Sequence, residues 1–330
     1  MDNLKSSILA TVAYYDIIDF PLKSEEVYKY LINPGRISIL NKPIDDFEQD
    51  DVAKQLENLV KLNFVGSWEG YYFLKGRERI CLKRLERAGI AQAKWKKFLN
   101  VSRWLQSVPY VRGIFASGSM AMNNTSEDSD FDVLIIAKPG RIYTARLLLL
   151  VLTSLMRTRR RWFDLKAPNK LCFNHHITED NLHIGHHSLY NAQSYAHLKP
   201  VLVSKELFEK FFTANNWINR YLYNFRASYD YSNRRVSTRS DLVLVAKILE
   251  FVLNTKLGDW LEEWAKRYQQ NRINKNPKTH DSGGRVIVND KELEFHPNSF
   301  EKYLINKYNQ TIKDLGILAP FPEQDSGLTI

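Results

Sequence analysis

Asp130 and Asp132 are separated by one residue and run into an apolar stretch, Val133-Leu134-Ile135-Ile136-Ala137. Pro139-Gly140 ends that stretch, so a strand is expected over 130–137. Residues two apart on a strand leave the same face, so both carboxylates project together while Phe131 and Val133 point into a core. Two adjacent carboxylates repel unless a cation lies between them. Hard oxygen ligands of this type suit Mg²⁺ or Mn²⁺, which bridges in turn to the phosphates of a triphosphate. Gly118-Ser119 stands just upstream, after an expected strand at Val111–Ala116. Glycine lets the backbone approach a phosphate closely. The Ser119 hydroxyl adds a donor, and a short helix expected over 120–123 would offer free N–H groups to an anion. The chemistry these residues suit is metal-assisted handling of a nucleoside triphosphate.

The pattern resembles the nucleotidyltransferase superfamily, which has the DNA polymerase β-like fold. That family's signature is a hydrophobic residue, Gly, Gly or Ser, about ten residues, then Asp-hydrophobic-Asp-hydrophobic. Here it reads Gly118-Ser119, the spacer 120–129, then Asp130-Phe131-Asp132-Val133, with Ser117 in place of the leading hydrophobic residue. The preceding strand and the Ser129-Asp130 pair are also similar to bacterial minimal nucleotidyltransferases. The domain implied covers roughly 108–200. The resemblance implies that Gly118 and Ser119 hold the β- and γ-phosphates and that Asp130 and Asp132 are catalytic and hold two metal ions. An acceptor hydroxyl would attack the α-phosphate, with pyrophosphate leaving. RNA, a protein side chain or a small molecule could supply that hydroxyl.

Active members of the family usually carry a third carboxylate on a later strand. The next expected strand, over 170–177, reads Lys-Leu-Cys-Phe-Asn-His-His-Ile and contains no acid. Asn174 sits where the carboxylate would fall; it can coordinate a metal but cannot serve as a base at neutral pH. Asp164, Glu179 and Asp180 are the acids nearest in sequence. Either one of them substitutes, or the strand is misplaced, or the domain is a catalytically inert module that binds nucleotide or RNA.

The elements that must position this segment divide the 330 residues into parts. Leu4, Ile8, Leu9 and Val12 have helical spacing, and Ser24 is an expected N-cap for a helix over 25–31. The stretch 33–50 reads as a loop. A third helix places Val52, Leu56, Leu59 and Val60 on one face, and a hairpin follows around 66–70. This order resembles a winged helix over 1–76. Residues 77–107 read as a basic linker helix, and 201–330 as a mostly helical C-terminal domain with a small hairpin near Asn289-Asp290. The stripe Trp260, Trp264, Tyr268 reads as helix packing. The expected fold class is α+β and multidomain, with a central mixed sheet.

Composition narrows the partners. Net charge is +10, yet residues 1–76 hold 8 Lys/Arg against 12 Asp/Glu, a net of −4. Phosphate contacts supply much of DNA affinity, so this module is expected to serve a structural or protein-contacting role. The runs 77–103 (9 basic, 2 acidic) and 157–170 (6 basic, 1 acidic) are expected to attract a polyanion such as RNA. Two cysteines, Cys81 and Cys172, exclude a disulfide scaffold and fit a reducing cytoplasm. The first 20 residues carry Asp2, Lys5, Asp16 and Asp19 and show no secretory pattern. The longest apolar run, 147–156, is too short to cross a membrane. Six of eight histidines fall between His175 and His197 without a zinc-site spacing.

Overall fold

The first helix, α1 (Asn3–Ile17), is apolar on nearly every side, and Leu4 through Asp16 are buried almost without interruption. A helix of that kind belongs inside a body. It packs on α4 (Gln49–Lys61) and α12 (Glu301–Asp314), which joins the two ends of the chain. The computed structural model describes residues 3–37, 47–161, 164, 166–229, 232–280, 284–296, 299–317 and 321. Around α1 lie α2 (Ser24–Lys29), α3 (Pro34–Ile37) and a three-stranded antiparallel sheet. That sheet has the order β1 (Leu22–Lys23), β3 (Tyr71–Leu74), β2 (Val65–Trp68).

Two expected details move. Ser24 is the first residue of α2 rather than its cap; the Lys23 N–H donates to Glu26 at 2.9 Å. A Glu at the third helical position answers that N–H where the Ser24 hydroxyl has no counterpart. The expected loop at 33–50 contains α3, and 38–46 lie outside the described residues.

The central sheet is mixed and six-stranded. Its order is β7 (Lys199–Leu202), β4 (Val111–Ala116), β5 (Phe131–Ala137), β6 (Leu171–Thr178), β9 (Glu292–His296), β8 (Arg285–Val288). Only β5 and β6 run parallel. Their crossover carries α7 (Ile142–Leu155), as a parallel pair requires. One sheet face packs on α5 (Arg79–Ser102) and α7 through Trp95, Phe98, Phe131, Val133 and Leu149. The other packs on α8 (Leu189–Ala196), α9 (Lys205–Ala214), α1 and α12 through Phe115, Leu134, Ile136 and Ile177. The short helix α6 (Gly118–Ala121) connects β4 toward β5.

Three features of the outer parts bear on how the chain divides. The hairpin near Asn289-Asp290 exists, but β9 pairs antiparallel with β6, so residues 285–296 extend the central sheet. Second, α5 contributes Ala91, Trp95 and Phe98 to the central core and so forms one wall of that body. Third, α10 (Ser240–Leu253) and α11 (Lys256–Asn274) leave much of their apolar surface in solvent, Phe251 at 82% and Trp260 at 63%. The stripe Trp260, Trp264, Tyr268 lines an outer face instead of a helix contact. Apolar spacing identifies a face without naming its neighbour. No described helix is long and apolar enough to cross a membrane.

Candidate active site

Asp130 and Asp132 stand at the start of β5, and the buried neighbours Phe131 and Val133 force their carboxylates to the opposite side. The approach loop is held from below by α5. Buried Lys94 donates Nζ to the carbonyls of Glu127 at 3.0 Å and Ser129 at 2.6 Å. Trp95 Nε1 donates to Asn123 Oδ1 at 3.1 Å. The basic helix thus spends two of its residues on fixing the loop that carries Asp130.

Gly118 caps the pair. It has φ +65°, and a Cβ added there would lie 2.5 Å from Asp132 Oδ2. The Ser117 N–H donates to the Asp132 carbonyl at 3.0 Å, which locks the turn to the strand. Both facts demand glycine: the backbone is in the left-handed region and there is no room above the carboxylate. Ser119 follows, half-buried on the same turn. Gly118→Ala is expected to cost about 1–3 kcal/mol of stability, read by denaturant unfolding, and to push Asp132 out of place.

Across the parallel pair, Asp132 is opposite Cys172 and Leu134 is opposite His175, so β6 carries one extra residue. This bulge turns Asn174 toward Asp132, and its Nδ2 donates to Asp132 Oδ1 at 2.9 Å. One oxygen each of Asp130 and Asp132 and the Cys172 Sγ lie within 4.8 Å of one another. Arg160 Nη1 pairs with Asp130 Oδ2. Burial, and then the Asp130 charge, push the Asp132 carboxyl up to about 7, with Arg160 acting against them. Burial and the two carboxylates push the Cys172 thiol well above its ordinary value. A thiol kept protonated is a poor metal ligand, so the donor set is two hard oxygens with a neutral amide beside them. That set fits Mg²⁺ or Mn²⁺, and a guanidinium already satisfies part of its demand for positive charge.

The three acids expected to complete the site are elsewhere or engaged. Glu179 and Asp180 follow the far end of β6, beyond Ala137 of β5, on the order of 16 Å along the strand from Asp132. Asp180 accepts from Thr178 Oγ1 at 2.6 Å and pairs with Lys291 at 3.3 Å; Glu179 lies 3.9 Å from Arg112. Asp164 pairs with Lys170 at 3.0 Å and accepts the Arg161 N–H at 3.0 Å. Asn174, an amide, stands beside Asp132 where a third carboxylate is expected.

The histidines disperse. His175 lies 3.1 Å from Glu292 and 3.1 Å from the Tyr195 hydroxyl, whereas His176 faces the other side of the sheet. His186 meets Glu301, His187 stacks on Trp217, and His197 stacks on Tyr30. Among the described residues the one group of three or more ligating side chains that includes a histidine is His175 with Glu292 and Glu294, and it holds a single imidazole.

Comparison with protein-family models, curated proteins and solved structures returned no match. Function is therefore argued from the site alone. Sequence reasoning missed Cys172 and the role of Arg160. Counting back two from Asn174 places Cys172 on the carboxylate side, a signal that was present. Nothing in the run Arg159-Arg160-Arg161 singles out the middle residue.

Proposed function

We propose that the chain is a metal-dependent nucleotidyltransferase that moves an NMP from an NTP to a hydroxyl acceptor. The observation that carries this reading is the stacking of the Gly118 turn directly on Asp132, beside Asp130 at the start of the same strand. Such a corner suits phosphates on one side and metal-binding oxygens on the other. Asp130 and Asp132 would hold Mg²⁺ or Mn²⁺, which supplies charge neutralisation at the phosphates. Gly118 and Ser119 would seat the β- and γ-phosphates. Arg160 would swing from Asp130 toward phosphate when metal takes its place, since both positions suit a guanidinium. Asn174 would orient Asp132 through its amide, without taking a proton from the acceptor.

A second reading is an inert module of the same fold that binds nucleotide without turning it over. Asn174 at the third position favours it. Labelled NTPs separate the two. Transfer of an α-phosphate label to an acceptor in lysate or total RNA supports the first; Mg²⁺-dependent binding without transfer supports the second. Absence of Mg²⁺-dependent binding sinks both.

The remaining parts follow from charge. The helices and three-stranded sheet of residues 3–74 suit a winged helix with a protein-contacting or structural role. Three of its carboxylates are already used: Asp16 and Asp19 pair with Arg77, Asp19 with Lys83, and Glu26 with Arg84. The same pairs engage three of the nine cations of run 77–103, so RNA is favoured less by that run than its composition suggests. Free thiols at Cys81 and Cys172 suit a reducing cytoplasm.

A further inference from the structure

Three arginines gather on the sheet face opposite the carboxylates. Arg146 of α7 donates Nη1 to Gln269 of α11 at 2.6 Å. Arg272 lies three residues further along α11, which puts it on the same side of that helix. Arg159 folds back on the end of α7, where its Nη1 donates to Ser154 Oγ at 3.3 Å. Among the described residues, no carboxylate ion-pairs with any of the three; the charges that bear on Arg146 and Arg159 are mainly those of other arginines. The Nε atoms of Arg146 and Arg159 are buried and have no hydrogen-bond partner. Below them on β6, His176 is fully buried with both ring nitrogens unpartnered, close enough for the Arg146 charge to act on it.

We propose that Arg146, Arg159 and Arg272 form a binding site for a phosphate-type dianion, separate from the Asp130–Asp132 site. A buried donor left unpaired is costly, more so when it belongs to a charged group. Three guanidiniums without a counter-charge repel one another, and the packing of α7 on α11 holds them together regardless. A tetrahedral dianion has the charge and enough oxygens to meet three planar forks at once, which a single carboxylate does not. Burial and the neighbouring arginines push Arg146 down to about 10, still charged at neutral pH and in the sense that a bound anion would reverse.

The site also touches the first one. The Arg160 N–H donates to Leu171 O at 3.0 Å and the Leu171 N–H to Thr158 O at 2.7 Å, so 158–160 run extended beside β6. Arg159 and Arg160 therefore point to opposite sides. An anion held by Arg159 fixes the backbone from which Arg160 reaches Asp130.

The test is thermal unfolding of the full chain, titrated with inorganic phosphate against chloride at constant ionic strength, with calorimetry as second readout. At ten times the Kd, the wild-type melting temperature is expected to rise by about 2 °C and to go on rising with the logarithm of phosphate concentration, while the calorimetric isotherm saturates. The double variant Arg159→Gln/Arg272→Gln should lose the rise and bind at least tenfold more weakly, while Ser119→Ala retains both. If the double variant fails to fold, exposed Arg272→Gln alone should weaken binding at least fivefold by calorimetry. No rise in the wild type, or a rise that survives in the variants, overturns the proposal. So does a rise that chloride reproduces with no saturable calorimetric isotherm, which marks an adventitious ion only. A single-stranded RNA that competes with inorganic phosphate at tenfold lower concentration identifies a polynucleotide phosphate as the source; failure to compete assigns a free phosphate or small ester.

Discussion

Asp130→Asn and Asp132→Asn are each expected to weaken Mg²⁺-dependent triphosphate binding at least tenfold, about 1.4 kcal/mol or more, by calorimetry with and without metal. Each removes one of the two hard charged ligands and leaves the strand intact. The variants should differ in the metal-free protein. The Asp132 carboxyl titrates near 7 when folded, above its ordinary value. A raised carboxyl holds its proton more tightly in the folded chain. Its contribution to stability is thus fully present below pH 4, declines as pH rises towards 7, and is gone above that. Asp132→Asn abolishes this dependence, so with chelator present it should be more stable than wild type at pH 8, on the order of 2 kcal/mol, and little different at pH 4. Asp130→Asn loses its ion pair with Arg160 while relieving repulsion, so its stability should change little. Undiminished metal-dependent binding in both variants would end the assignment.

Asn174→Asp is expected to have the opposite effect on metal. The amide that donates to Asp132 at 2.9 Å is replaced by a third carboxylate at the same place. Without metal, repulsion should cost about 2 kcal/mol at pH 8 and the loss should shrink as the pH falls. With Mn²⁺ or Mg²⁺, affinity should rise about tenfold, because a third hard oxygen joins the set. Transfer then divides the readings. If Asn174 only limits an active enzyme, label transfer to a hydroxyl acceptor should rise at least tenfold. An inert module should gain metal affinity and no transfer. If the substitution leaves metal affinity unchanged, β6 does not present residue 174 to the carboxylates.

Part of the site was legible because its determinants are local. Strand alternation alone puts Asp130 and Asp132 on one face and Phe131 and Val133 on the other. A glycine twelve residues before Asp130 announces a turn that needs one, and in the structure Gly118 has φ +65°. The position of Asn174 also followed from local pattern, although the reason it reaches Asp132 did not. That reason is a bulge, which depends on how β6 registers against β5. The three candidate acids were chosen by sequence distance, a poor guide once a strand carries two of them to the other end of the sheet.

Composition also leaves open how the charged helix spends its cations, for a related reason. The nine cations of 77–103 look free in sequence, but Arg77, Lys83, Arg84 and Lys94 meet acids or carbonyls tens of residues away. Charge patterning cannot show a partner that only folding brings near.

By itself, the sequence determined what short-range physics controls: an α+β chain, the strand on which two carboxylates project together, the glycine turn before it, the helix and hairpin order of residues 3–74, and no apolar run long enough to span a bilayer. The tertiary structure alone decided which long-range neighbours complete these parts. It brought Arg160 and Cys172 to the acids, put α5 under the loop that carries Asp130, gathered three arginines behind the sheet, and added 285–296 as sheet strands. Local preferences act over a few residues and leave their mark in periodicity. Register, strand order and ion pairing depend on contacts between distant segments, selected by the burial and charge balance of the whole fold.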